Sequence, residues 1–498
     1  MTAPARPPLL RRTEHVLRPD PSRVVSTLFL PGQEIVGSRR SRSGGVLDRI
    51  LALSDAQVGV RLATTLDSFG PRHRDLVTVL DERFALVAHR LSDPGSLSLE
   101  RRRLVGAYFS QEYAFEAAAL FNPSMVAHPD QTGLPDGSTR FVMSVRGVGE
   151  GHISSIGFRT GTIDAQDAVV FDDLSTITVP PMRIPTTYSR TVFAHQTAEL
   201  GGDQSSARFV LELLPAQFVR ADLDLALSRL REQRLTRVAV VATTETFERI
   251  AACNYAITFP ADSAIHERVL MPGGPTESHG VEDLRLVRFT DTDGAVDYRG
   301  TYTAFDGSHV VPQLLRTVDF RTFHVSQLAG PAAKDKGMAL FPRPVAGHYL
   351  ALSRWDREDN SLATSDDAVG WDSLAMIQTP QEAWELIQLG NCGPPLETAA
   401  GWLVLTHGVG PMREYGVGAI LLDLDDPSRV LGRLSHPLLA PRADERDGYV
   451  PNVVYSCGGL VHHGTLVLPY GASDAVIRIA LVDLDALLAE LLGPPTDA

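Results

Sequence analysis

The chain has 498 residues, 44% of them apolar and 21% charged, a balance that fits folded domains and rules out wholesale disorder. With 46 Lys plus Arg against 60 Asp plus Glu the formal charge is −14, which argues against nucleic-acid or anionic-membrane partners and confines any anionic ligand to a locally basic pocket. Three widely spaced cysteines, Cys253, Cys392 and Cys457, exclude a disulfide scaffold and a cysteine zinc site and fit a reducing compartment.

In chain order, residues 1–45 are rich in Pro, Arg and Ser and end in Ser38-Arg39-Arg40-Ser41-Arg42-Ser43-Gly44-Gly45, which predicts a flexible N-terminal tail. It has no apolar leader, and no run of about 18 apolar residues follows anywhere. The expectation is a cytoplasmic protein without a membrane span.

Residues 46–110 read as a helical region. Leu76, Val79, Leu80, Phe84, Val87, Ala88 and Leu91 make one helical stripe, stopped by Asp93-Pro94-Gly95. Beyond about Ser110 the pattern changes to short strands bounded by Gly, Asp and Pro.

One unit recurs, a turn glycine followed by an apolar strand, starting at Gly300, Gly347, Gly401 and Gly464, with a relative at Gly137. The last four starts are 47, 54 and 63 residues apart. Such periods mark β-propeller blades, and five copies predict an all-β, five-bladed propeller over 111–498. A helical insertion near 186–250 interrupts it, where Leu223, Leu227 and Leu230 share a face. A β-sandwich with irregular loops is the alternative.

No Gly-x-Ser-x-Gly elbow, His-Glu-x-x-His or Walker loop is present. Gly147-Val-Gly149-Glu-Gly151 reads as a turn, and Asp291-Thr-Asp293-Gly294 as a hairpin turn lacking the later ligands of a calcium loop. No metal is expected.

The chemistry then falls to polar residues on the inner strands. In Gly280-Val-Glu-Asp-Leu-Arg285, alternation sends Glu282 and Asp283 to opposite faces and lets Asp283 share one with Arg285. Asp283 is either a general acid for glycosidic cleavage or one half of an ion pair bracing a strand. A nearby arginine would depress its pKa, the wrong direction for a proton donor.

Lys336 and Arg354 flank an apolar strand pair and could hold a phosphate, whereas Lys334 reads as a solvated surface cation. His407 and Tyr415 form a third cluster. Asp474 closes Tyr470-Gly-Ala-Ser-Asp474, either pairing with sugar hydroxyls or capping a turn. Phe121-Asn122-Pro123 and Arg146 complete the set.

Taken in order over most of 115–485, these segments resemble glycoside hydrolase family 130, the β-mannoside phosphorylases and mannosidases with five-bladed propellers. The matching pieces are Phe121-Asn122-Pro123 with Val142–Arg146, Gly280–Arg285 followed by Tyr302–Gly307, Ala339–Pro342, Trp384-Glu385, His407-Gly408, Gly418–Asp423, Pro451–Val454 and Tyr470–Asp474. Leu284 stands where the family usually has proline.

The resemblance implies Asp283 as general acid, with Asn122, Arg146 and Asp474 holding the mannosyl unit and His407 also contacting substrate. It implies Lys336, Arg354 and Tyr415 around phosphate. Such enzymes cleave terminal β-mannosides with inversion and release α-mannose 1-phosphate, with inorganic phosphate as co-substrate and no cofactor. In the family's hydrolases a glutamate activates water instead, and Glu150, Glu385 and Glu414 are the candidates here.

Two departures bear on phosphate: Asp335-Lys336 replaces a frequent Arg-Asn pair, and Glu150 stands where a cation is common. Phosphorolysis of a terminal β-mannoside in an oligosaccharide is the leading expectation, hydrolysis of the same bond the alternative, and a non-catalytic carbohydrate-binding propeller the third. The helical additions either shape the pocket for a larger acceptor or build a homo-oligomer.

Overall fold

The glycine-led repeats become interior strands of successive antiparallel meanders, at Thr139–Val148, Val296–Phe305, Tyr349–Ser353, Gly401–Val409 and Thr465–Ala472. At Gly137, Gly347 and Gly464 the backbone is left-handed (φ 75°, 85° and 88°), so the turn needs glycine. Gly300 is different. It lies inside a strand, where an added Cβ would meet the Leu284 side chain at 2.7 Å, so it serves close packing rather than a turn.

The computed structural model describes residues 9–32, 35–36, 40–233 and 237–493. It is mainly β, with 37% strand and 28% helix. Five meanders follow one another: Ala119–Phe171, Gly280–Gln327, Ala339–Gln378, Gln388–Arg433 and Val454–Asp483. The first two join into one sheet through a parallel pair, Gly280 with Ser154. None of the described sheets closes on itself.

The larger apolar cores of the β region lie between meanders. Phe158 of the first packs in one cluster with Leu286 and Tyr302 of the second. Phe289 joins Ala351, and Leu352 joins Trp402. Leu405 joins Leu468, and Ile479 of the fifth returns to Phe141 of the first. Burial of these faces at about 25 cal/mol per Å² is the main force that fixes the order of the meanders.

The chain is therefore not all-β. Helices Arg42–Leu51, Asp55–Phe69, Leu76–Val87 and Leu99–Tyr108 form an N-terminal bundle around Leu80, Phe84 and Val105. Ser41 caps the first, its Oγ accepting from the Gly44 N–H at 3.1 Å.

The helices of 190–253 lie between strands Met182–Ile184 and Tyr255–Thr258, which pair antiparallel. The insertion thus leaves and re-enters at one sheet edge, with its own core of Phe193, Phe218 and Phe247. Among the described residues no helix is long and apolar enough to cross a membrane.

The expected N-terminal tail needs correcting. Residues 1–8, 33–34 and 37–39 lie outside the described residues. Leu10–Leu17, however, is a strand paired antiparallel with Val476–Asp483, and Val24–Leu28 pairs with Ser110–Ala114. The unpaired edge of the last meander supplies the donors and acceptors that order a segment with little core of its own. Arg12 secures it by donating to Tyr470 Oη and the Ala440 carbonyl.

Candidate active site

Two strand irregularities build the centre. In Ala119–Ala127 the register slips between Phe121 and Ser124, with Asn122 left-handed at φ 49°. In Gly280–Thr290 it slips between Glu282 and Arg285, with Asp283 at φ 59°. Asn and Asp tolerate this region best among residues with a Cβ, and a bulge re-aims side chains. Here it brings the Asn122 amide to donate to Asp283 Oδ1 at 2.6 Å.

The bulge also overturns the strict alternation expected at 282–283. Glu282 and Asp283 converge on one guanidinium: Arg146 Nη2 donates to Glu282 Oε1 at 2.7 Å and Nη1 to Asp283 Oδ1 at 3.0 Å. Arg146 Nε donates to Ser154 Oγ at 2.9 Å, and the guanidinium lies 4.9 Å from the Phe121 ring centre. Lys336 Nζ donates to the other Glu282 oxygen at 2.6 Å. Arg285 turns away from the Asp283 carboxylate, donating to its backbone carbonyl and to Tyr455 Oη, each at 2.9 Å.

The electrostatics follow. Burial alone would raise the Asp283 carboxyl, but Arg146, Arg285 and Lys336, with the Asn122 amide, hold it well below the usual carboxylate range. The neighbouring carboxyl behaves oppositely. Burial pushes Asp474 up to about 7, Arg146 pulling down and Asp283 pushing up. Two carboxyl groups within electrostatic reach of one arginine are thus driven apart, the pattern that separates proton-holding from ionised roles.

On the far side stands Arg354. Its Nη1 donates to His407 Nε2 at 2.9 Å, and Asp335 is 3.8 Å away. Burial, then Arg354 and Arg285, push the His407 pKa well below its ordinary value, so the ring is neutral. Since Nε2 accepts, the proton sits on Nδ1 and points to the Asn391 carbonyl at 3.2 Å.

The imidazole stacks on Tyr415, centroids 6.0 Å apart at 9°, and meets Tyr455 edge-on. His407, expected to touch substrate, is 1% exposed with both ring nitrogens engaged, so in this structure it orients Arg354. Asn391 Nδ2 in turn donates to the Gly337 carbonyl at 2.7 Å, fixing the turn that carries Lys336. Buried Asn122 Oδ1 and Arg354 Nε have no hydrogen-bond partner among the described residues.

The structure thus brings together Asn122, Arg146, Asp283 and Lys336, puts Asp474 within electrostatic reach, and groups Arg354, His407 and Tyr415 separately. The glutamates considered for water activation are placed elsewhere. Glu385 is bound by Arg433 and by the Gln381 and Glu382 N–H groups. Glu414 pairs with Arg446 at 2.7 Å, and Glu150 is exposed. Glu282, Asn391 and Tyr455 were not legible as site residues, because bulges and cross-sheet contacts leave no spacing signal. Among the described residues no cluster of three or more His, Cys, Asp or Glu side chains is placed to hold a metal.

Comparison with known proteins places this geometry in context. The family model Glyco_hydro_130, described as β-1,4-mannooligosaccharide phosphorylase, matches residues 249–491. A 1,2-β-oligomannan phosphorylase of Thermoanaerobacter sp. (strain X514) is 38% identical over 212 residues, 42% of this chain and 70% of the relative. A β-1,2-mannobiose phosphorylase of the same organism is 33% identical over 250 residues, 48% of this chain and 79% of that protein. Among solved structures, the β-1,2-mannobiose phosphorylase of Listeria innocua in complex with β-1,2-mannobiose aligns at 21% identity and TM-score 0.44, over 75% of this chain and 92% of that one.

Proposed function

The chain belongs to glycoside hydrolase family 130, and from that premise we propose that it cleaves terminal β-mannosides by phosphorolysis at Asp283, releasing α-mannose 1-phosphate. The names of the two Thermoanaerobacter relatives favour a β-1,2 linkage. The observation that carries the reading is the pairing of one amide- and guanidinium-held carboxylate with a neighbouring arginine whose contacts leave most of its charge uncompensated.

In this reading the mannosyl unit sits against Asn122, Arg146 and Asp474, and phosphate against Lys336, Arg354 and Tyr415. A phosphate oxygen attacks C1 from the face opposite the departing sugar, the C1–O bond breaks, and Asp283 supplies the proton to the leaving oxygen, directly or through a sugar hydroxyl. Phosphate serves as nucleophile, so a single protein carboxylate suffices.

The depressed pKa of Asp283 fits this order of events. In the free enzyme it is ionised, kept so by Arg146, Arg285 and Lys336 against the opposing effect of burial. A phosphate anion beside Lys336 and Arg354 offsets part of that positive field, raises the carboxyl and allows it to carry a proton only when the nucleophile is present. Hydrolysis has less support: Glu385 and Glu414 are ion-paired and Glu150 is exposed.

The five meanders are read as the blades of a propeller with Asp283 at its axis, supported by apolar cores shared between each consecutive pair and between fifth and first. A cytoplasmic location is part of the proposal, supported by three buried, free cysteines.

The test is incubation with β-1,2- and β-1,4-mannobiose, each with and without phosphate. Mannose 1-phosphate formed only with phosphate, and faster from the 1,2 isomer, is expected. Free mannose released at an equal rate without phosphate rejects phosphorolysis in favour of hydrolysis.

A further inference from the structure

A cavity of about 840 Å³ adjoins the candidate site. The turn carrying Lys334 and Lys336 forms one wall, and the insertion helices Arg190–Leu200 and Arg237–Cys253 contribute Glu199 and Arg249 to another. Lys336 is common to both spaces: it lines the cavity and binds Glu282, whose other oxygen binds the arginine that holds Asp283.

Its charge differs from that of the whole molecule. In a chain of formal charge −14, the lining carries four cations, Arg249, Lys334, Lys336 and Arg357, against two acids, Glu199 and Asp335. Lys336 is paired with Glu282 and Arg357 with Asp335. Arg249 and Lys334 make no ion pair within the described residues. Glu199 accepts from the Gly330 N–H at 3.4 Å; burial raises its carboxyl, while that hydrogen bond and the Lys334 charge pull it down. No Trp, Tyr or Phe lines the cavity, so a neutral pyranose has no aromatic face to stack on.

We propose that this cavity receives the leaving (in synthesis, accepting) sugar, and that Arg249 and Lys334 select one bearing an anionic group, a sugar phosphate or a uronate. The inference rests on the phosphorolytic reading of Asp283 and adds the substrate class. Arg249 and Lys334 are exposed, so they stay accessible to an incoming anion, and their shared place on one concave lining lets both act on the same group. The helical insertion then has a function: it carries Arg249 to the wall facing Lys334.

The test is synthesis from α-mannose 1-phosphate with paired acceptors: mannose against mannose 6-phosphate, and glucose against glucose 6-phosphate and glucuronate. Wild type is expected to favour the anionic member at least tenfold in kcat/KM, and the double variant R249A/K334A to lose that preference. The 6-phosphate and glucuronate arms distinguish phosphate from carboxylate recognition. Equal use of neutral and anionic acceptors by wild type overturns the proposal. So does a double variant that retains the preference, or one whose only change is a higher KM for inorganic phosphate.

Phosphorolysis of mannobiose on the same preparations reads the parent assignment separately. If it is absent, calorimetric binding of glucose 6-phosphate to wild type but not to the double variant still reports on the cavity, and equal binding or none rejects it.

Discussion

Arg146 and Arg354 are both largely withdrawn from solvent, yet they meet different company. Arg146 has carboxylate oxygens at 2.7 and 3.0 Å, a serine hydroxyl at 2.9 Å and an aromatic face beneath it. Arg354 has a neutral imidazole at 2.9 Å and its nearest carboxylate at 3.8 Å, which also answers Arg357 at 3.1 Å. A buried charge that is fully paired is positioned, whereas one that is under-paired keeps its attraction for an incoming anion. On this comparison the Asn122–Arg146–Glu282–Asp283 cluster is a preset scaffold for the sugar, and the Arg354 side is completed by phosphate.

The comparison is broken most severely by removing the carboxylate at its centre. Asp283→Asn preserves the shape and the Asn122 contact region but cannot supply a proton, and a fall in kcat of ~10²–10⁴ is expected. Steady-state rates on mannobiose read this directly, and a loss below fivefold would assign the acid elsewhere.

Next in size is Arg354→Ala. Removing a charged donor to an anion costs about 1.5–3 kcal/mol, a rise of about tenfold to a hundredfold in the KM for phosphate. The KM for the mannoside should move far less, and similar changes in both would erase the distinction between the two sides.

His407→Phe sharpens the same point. Phenylalanine retains the contacts with Tyr415 and Tyr455 but gives Arg354 no acceptor. The KM for phosphate is expected to rise about fivefold, corresponding to one hydrogen bond of about 1 kcal/mol.

The last effect, on stability rather than rate, concerns Asp474. Its carboxyl is raised to about 7 by burial, whereas in the unfolded chain it ionises near pH ~4. The folded state therefore binds the extra proton between those values, and wild type loses stability as pH rises from about 4 to about 7. Asp474→Asn lacks this penalty, so its melting temperature relative to wild type should increase from pH 5 to pH 8, by the equivalent of roughly 1–2 kcal/mol. A difference that does not change with pH removes the perturbed carboxyl from the account.

Much of this was legible in the sequence for reasons of periodicity. The stripe from Leu76 to Val87 is a helix, with Leu76, Leu80, Phe84 and Val87 buried. Strands lie at each recurrence of the glycine-led unit. What escaped was non-local or local-irregular. The bulge at Asp283 is set by strand pairing, so alternation misplaced Glu282 relative to its neighbour.

Leu10–Leu17 has weak internal signals and is ordered by an edge more than four hundred residues later in the chain. Gly300 shares the sequence unit of the turn glycines but is fixed by contact with Leu284. Lys334, read as a solvated surface cation, is exposed as expected; that it also lines a cavity to which the insertion contributes could not be read from its local sequence.

The most direct measurement is the proton NMR spectrum of the first product formed from β-1,2-mannobiose in phosphate buffer. The account predicts α-mannose 1-phosphate appearing in step with free mannose from the acceptor side, at one to one, and no reaction when phosphate is withheld. The β anomer of the phosphate, or two equivalents of mannose with no phosphate ester, would contradict it.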